Sequence, residues 1–203
     1  RSGQQRRESP ALESCPELAS LTRKPFTSLG QVHKAILPNL TSWRETPKLA
    51  TGVLVALAEQ HKAYLSVQVM LCLHGGHVAL DVLHCNMVMN ACAKSSEWEV
   101  ALLLLQSSMA RMQVAPDVIS LNSAISACKN GYEWQQSLAL LDSSQQLRVM
   151  PNAISCLVAI GACERSAQWQ TAIGLLDAMP SLRVSPAEVC FNAAMSVCEK
   201  AAQ

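Results

Sequence analysis

Aromatic residues make up only 4% of this 203-residue chain, which argues against a sheet core, where aromatic and β-branched side chains dominate. The apolar half of the composition is carried by Ala, Leu, Val, Ile, Cys and Met, a mix suited to close helix packing. No apolar run approaches the roughly 18 residues of a membrane span. Segments 53–58 and 102–105 are core-sized, so a soluble chain without a membrane partner is expected. There is no Cys-x-x-Cys pair, and none of the five histidines lies beyond residue 84. His74 and His77 flank a Gly-Gly turn without ligand spacing to Cys72 or Cys85, so no metal site is expected. A glycine-rich phosphate loop and a Ser/His/carboxylate set are absent as well, so neither a cofactor nor enzymatic chemistry is expected. A single-sign charge is lacking too. Residues 1–81 hold nine Lys/Arg against six Asp/Glu, and residues 82–203 hold seven against nine, so the second part lacks the basic excess usual in a nucleic-acid binder.

What is present is a beat. Trp98, Trp134 and Trp169 recur at intervals of 36 and 35, each six residues after a cysteine, Cys92, Cys128 or Cys163. Pro116, Pro151 and Pro186 keep a spacing of 35, and Cys198 falls 35 after Cys163. Such a period marks a repeat array. Nine cysteines are an odd number and four share one phase of the repeat, so they read as small core residues in a reducing compartment rather than as disulfides.

Each unit holds two helix patterns. In the second, Leu121, Ala124, Ile125 and Cys128 form one apolar stripe at helical period, and after the polar turn Lys129-Asn130-Gly131 comes Trp134, Leu138 and Leu141, widened by Leu140. The first unit repeats this with Met89 and Cys92, then Trp98, Leu102 and Leu105. The third uses Ile160 and Cys163, then Trp169, Ile173 and Leu176. Neither helix buries its stripe alone, so the fold class expected is an all-α solenoid of stacked antiparallel helix pairs. The tryptophans are expected in the core, with Trp134→Ala costing about 3–5 kcal/mol. The organisation expected is an irregular leader over 1–46 with one helix at 29–37, a degenerate repeat over 47–81 with helices at 52–60 and 64–73, repeats over 82–117, 118–152 and 153–187, and the first helix of a further repeat over 188–203. The chain is expected to be a fragment of a longer array.

Residues 118–128 (VISLNSAISAC) and 188–198 (EVCFNAAMSVC) resemble the first helix of pentatricopeptide repeats. The period and the closing Pro-Asp or Pro-Asn are similar as well, although Pro186-Ala187 departs from the pattern. The later segment is similar to the form these repeats take in some algal protists. The resemblance implies single-stranded RNA as partner, one base per repeat, read by a side chain early in the first helix and by the last residue of the unit. Those positions are Asn86 with Asp117, Asn122 with Asn152, and Leu157 with Ala187, followed by Asn192. The first pair would favour uracil and the second a pyrimidine, while the third has no group to bond a base; Thr51 with Asp81 would favour guanine. Leu83, Ile119, Ile154 and Val189 would sandwich neighbouring bases. Lys94, Lys129, Arg165 and Lys200, just after the repeat cysteines, are candidates for phosphate contacts. Read without the resemblance, the asparagines and aspartate are ordinary first-turn and capping residues, and the lysines and arginine favour helix C-termini. The implied role is sequence-selective RNA binding in a mitochondrion or plastid, by a monomer, for transcript processing, stability, editing or translation. A solenoid scaffold for other proteins, with a basic partner, is the alternative.

Overall fold

The computed structural model describes residues 10–24 and 26–202. The chain is all-α, with no strand among the described residues. It divides into two compact units, one ending at Ala91 and one beginning at Cys92.

In the first unit, α1 (Pro10–Glu13), α2 (Pro16–Leu21), α3 (Leu29–Ile36) and α4 (Leu40–Glu45) precede the helix pair α5 (Lys48–Glu59) and α6 (Ala63–Gly75), and then most of α7 (Val82–Ser95). Where an irregular leader with one helix at 29–37 is expected, the described part holds α3 at Leu29–Ile36 and, besides it, α1, α2 and α4. Several of its prolines mark starts rather than breaks: Pro10 and Pro16 open α1 and α2, where a missing N–H costs nothing. Ser28 caps α3 in a reciprocal capping box with Gln31. Helices this short hold through packing, not propensity. Leu12, Leu18, Val32 and Ile36 are fully buried, and so nearly is Trp43, the tryptophan outside the repeat beat. Polar ties add to this. Thr27 Oγ1 donates to Gln68 Oε1 at 2.8 Å, Gln68 Nε2 returns a bond to Thr27 O at 2.9 Å, and Arg44 Nε donates to Gly76 O at 2.6 Å.

The second unit opens with α8 (Trp98–Leu103), which runs through a π-helical turn at Leu104–Ser108 into α9 (Met109–Arg111). Next come α10 (Val118–Asn130), α11 (Trp134–Asp142), α12 (Ala153–Arg165), α13 (Trp169–Ala178) and α14 (Glu188–Ala201). The first helices α10, α12 and α14 pack side by side, with α11 and α13 against them. This is an α-solenoid. The first-helix stripe lies where its period places it: Leu121, Ala124, Ile125 and Cys128 are wholly buried, as are Cys156, Ala159, Ile160 and Cys163.

The second-helix stripe is rotated from the expected one. Ala101, Leu104 and Leu105 are buried, then Ser137, Leu140 and Leu141, then Ala172 and Leu175, whereas Leu102 and Leu138 are half-buried and Ile173 is exposed. The tryptophans are corrected with it: Trp98 and Trp134 are half-buried and Trp169 is 43% exposed. Each is the first residue of its helix, on the flank rather than facing the first helix, where Ala101, Ser137 or Ala172 lets the two helices approach. Trp98 uses that flank to cover the next turn. Its indole Cδ1 lies so close to Gly131 that an added Cβ would sit 2.5 Å away, so only glycine fits beneath the ring.

Two turns of one kind close each helix pair. The positive-φ residues are His61, Ser96, Tyr132 and Ala167 between first and second helices, and His77, Gln113, Arg148 and Arg183 after the second. Beside each runs a bond spanning five residues, from Glu97 N to Cys92 O (3.0 Å), Glu133 N to Cys128 O (2.9 Å) and Gln168 N to Cys163 O (3.0 Å) in the first set, and from Val114 N to Met109 O (2.9 Å) and Val149 N to Ser144 O (2.9 Å) in the second. That is the Schellman closure of a helix. The six-residue step from cysteine to tryptophan therefore contains a carbonyl acceptor, a left-handed residue, and the cap before the next helix. Gly131 is not the left-handed residue of its turn; Tyr132 is, at φ 66°.

Candidate nucleic-acid interface

Each first helix of the second unit presents residues spaced three, four and three apart, which share one helical face. These are Ile119, Asn122, Ser126 and Lys129 on α10, then Ile154, Leu157, Gly161 and Glu164 on α12, then Val189, Asn192, Ser196 and Glu199 on α14. Only Gly161 among them is buried. The strips are open to solvent.

An apolar side chain leads each strip. Ile119 and Ile154 are 56% exposed and Val189 is 52% exposed. Leu83, at the same point of α7, is exposed as well. Water-facing branched aliphatics recurring once per repeat are not core residues, and a row of them is suited to lie against flat apolar faces.

The expected reading residues fare differently. Asn192 is exposed, and Asn122 and Leu157 are half-buried. Asn86 departs from the expectation: it is only 3% exposed and has partners inside the protein. Asp117 and Asn152 are N-caps. Their Oδ1 atoms accept from Ser120 N at 2.8 Å and Ser155 N at 3.0 Å, while the two serine hydroxyls accept from the cap N–H groups at 3.3 and 3.1 Å. Ala187 has no side chain to do this, and α14 starts without a side-chain cap.

Ser155 is a residue that sequence reasoning missed. Its hydroxyl donates to Asn122 Oδ1 and also lies 3.1 Å from Asn152 Oδ1, so it joins the two members of one pair. A serine three residues after a cap was the available signal. With Asn122 Oδ1 engaged, its amide N–H₂ is the group left to face outward.

In the first unit, Thr51 and Asp81 converge on buried His84. Thr51 Oγ1 lies 3.3 Å from Nε2, Asp81 Oδ1 lies 2.6 Å from Nδ1, and Pro47 O lies 3.0 Å from Nε2. Thr51 is thus held by an imidazole. By helix position the counterpart of Asn122 on α5 is Gly52, with exposed Leu49 leading the strip.

The candidate phosphate contacts are not one uniform edge. Lys94 is exposed. Lys129 lays its stem across Gly161, where an added Cβ would meet Nζ at 2.8 Å. Arg165 stacks over the Tyr132 ring at 4.5 Å. Lys200 Nζ donates to Glu164 Oε1 at 2.7 Å, and Ser196 Oγ reaches the same oxygen at 2.8 Å. Together, Lys200 and then Ser196 hold the Glu164 carboxyl below its ordinary value.

The repeat cysteines lie away from the strips. Burial, aided by nearby Glu97 and Glu133, pushes Cys92 and Cys128 up to about 12, and burial pushes Cys163 up to about 11. They are protonated thiols, poor as nucleophiles or metal ligands. Among the described residues no group of three or more His, Cys, Asp or Glu is placed to hold a metal, and no helix is long and apolar enough to cross a membrane.

The repeated helix pairs, their caps and their shared open strips define a helical-repeat solenoid. Its fold is that of pentatricopeptide-repeat domains. The chain is similar to the crystal structure of the pentatricopeptide-repeat domain of Arabidopsis thaliana protein-only RNase P 1 in complex with tRNA, at 15% identity and a TM-score of 0.59, over 76% of this chain and 84% of that one. It is also similar to the pentatricopeptide repeat protein PPR10 from maize, at 18% identity and a TM-score of 0.64, over 88% of this chain but only 25% of the maize chain. No protein-family profile and no curated protein matches the sequence.

Proposed function

We propose that the first-helix strips of 118–203 bind single-stranded RNA, with Ile119, Ile154 and Val189 between successive bases and Asn122 and Asn192 at base edges. The observation that carries this reading is the row of solvent-facing aliphatic side chains, one per repeat, each followed three residues later by the candidate reading residue. The fold shared with a domain crystallised with tRNA agrees with it. Asn122, with Oδ1 engaged by Ser155, offers a donor to an acceptor on a pyrimidine edge. Leu157 and Ala187 offer nothing, so the nucleotide opposite them is unread. Asn86 acts as a structural residue, which narrows the reading set. The strips carry no chemistry of their own; the chain binds, as a monomer, and serves transcript processing, stability, editing or translation in a mitochondrion or plastid.

The test is binding of a 20-nucleotide oligouridine at low salt. Each base engaged is worth about 1–3 kcal/mol, so Asn122→Ala should weaken binding by about tenfold, and Ile154→Ala by a similar factor, with the fold intact by circular dichroism. Undiminished binding by both variants rejects the strip as the site. Absence of RNA binding together with capture of basic peptides favours the protein-scaffold role instead.

A further inference from the structure

Glu164 stands in the one place on the strips where an acid faces two cations. It occupies α12 at the helix position that Lys129 occupies on α10. Lys200, from α14, reaches it at 2.7 Å, and Ser196 adds a hydroxyl at 2.8 Å. From the other side Lys129 lies across Gly161, one turn before Glu164 on the same helix, and its charge also acts on that carboxyl. A carboxylate bonded to one lysine amine and one hydroxyl, with the charge of a second lysine acting on it, at the rim of a surface proposed for RNA, has the ligand set a backbone phosphate would use.

We propose that Glu164 is an internal stand-in for a phosphate: it occupies Lys200 and its charge competes for Lys129, so a strand crossing the 153–187 unit must displace it to gain Lys200. This deepens the RNA reading and rests on it. The same unit carries Leu157 and Ala187 in place of polar reading residues, so it neither reads a base nor holds a phosphate without cost. It acts as a spacer between the strips of α10 and α14. The glycine at 161 belongs to this arrangement, since Asn90, Ser126 and Ser196 hold the same position on the other first helices and a side chain there would lift Lys129 from α12.

The experiment compares wild type, Glu164→Gln and Glu199→Gln for binding the 20-nucleotide oligouridine across a salt series. Glu199 is exposed on the same strip row and removes the same formal charge. An exposed ion pair is a modest competitor, so Glu164→Gln should tighten binding about two- to fivefold at low salt. The salt slope should steepen by roughly 0.7 for each phosphate newly held, while Glu199→Gln changes both less. Equal effects of the two substitutions, or none from Glu164→Gln, overturn the stand-in role while leaving RNA binding in place. Failure of all three proteins to bind overturns the RNA reading, and this inference with it. As a readout without RNA, acetylation of Lys200 should be faster in Glu164→Gln than in wild type; an unchanged rate refutes the pairing.

Discussion

At the residue scale, the left-handed turn positions show how side chains are distributed between duty and strain. Among the described residues all those with positive φ are non-glycine, and none of the described glycines is left-handed. For an L-residue that conformation costs roughly 1–2 kcal/mol, against about 0.5–1 kcal/mol of extra chain entropy lost by a glycine. Ala167, at φ 51° and exposed, has only a methyl group to forfeit, unlike Tyr132 beneath Arg165. Ala167→Gly should therefore raise stability by about 0.5–1 kcal/mol, read as a higher thermal midpoint; a lower midpoint would show that the turn is not strained. Which residue of each turn is left-handed was invisible in the sequence, because Gly76 and Gly131 stand beside that residue rather than at it. The caps were more legible: Asp117 and Asn152 follow proline and precede a serine at the third helical position, the capping-box pattern. Burial of Asn86 was not legible, since it shares its helix position with half-buried Asn122.

At the element scale, the repeat length has a visible irregularity. From cap to cysteine is 11 residues in each first helix, Asp81 to Cys92, Asp117 to Cys128 and Asn152 to Cys163. From tryptophan to the second left-handed residue is 15 in the first repeat, Trp98 to Gln113, but 14 in the others, Trp134 to Arg148 and Trp169 to Arg183. The surplus residue lies in the helix that contains the π turn, where Met109 N–H reaches back to Leu104 O. Deleting exposed Gln106 should convert that turn to regular α-helix with little change in melting temperature. Deleting Leu138 from α11, which has no surplus, should rotate Leu140 and Leu141 from the core and cost several kcal/mol, on the scale of about 2–5 for one lost core leucine. Equal damage from both deletions would reject the π turn as the reservoir. The first-helix stripe was readable because cap, stripe and cysteine agree in phase. The second was misread because tryptophan, the largest apolar residue, served as the anchor of a stripe it only flanks.

At the scale of the whole molecule, the buried thiols couple stability to alkaline pH. Burial raises Cys85, Cys156 and Cys163 to about 11, and Cys92 and Cys128 to about 12, from an ordinary 9.0. An acid whose folded value is raised stabilises the fold below its unfolded value and withdraws that contribution as pH climbs toward the folded one. Stability should thus fall between pH 9 and 12, by at most about 1.4 kcal/mol per pH unit for each thiol. In denaturant melts Cys92→Ala/Cys128→Ala should show a shallower decline over that window, and an unchanged slope would remove the thiols as its cause. The solenoid class was legible from period and composition, whereas the helices of 10–45 other than the one expected at 29–37 were not, since they keep no repeat and are held by contacts distant in sequence. The near-neutral charge balance is likewise not evenly spread, because one glutamate sits among the lysines it offsets.

The π turn separates two kinds of bookkeeping in such a chain. A codon gained in a second helix can be absorbed there as a π turn, while the first-helix distance from cap to cysteine stays at 11 residues. A residue gained in a second helix is thus accommodated away from the first-helix strips, and on the RNA reading proposed above the order in which strips would meet successive nucleotides is insulated from it. On that reading a genome could lengthen such a repeat by one residue without shifting the frame in which a bound strand would be matched.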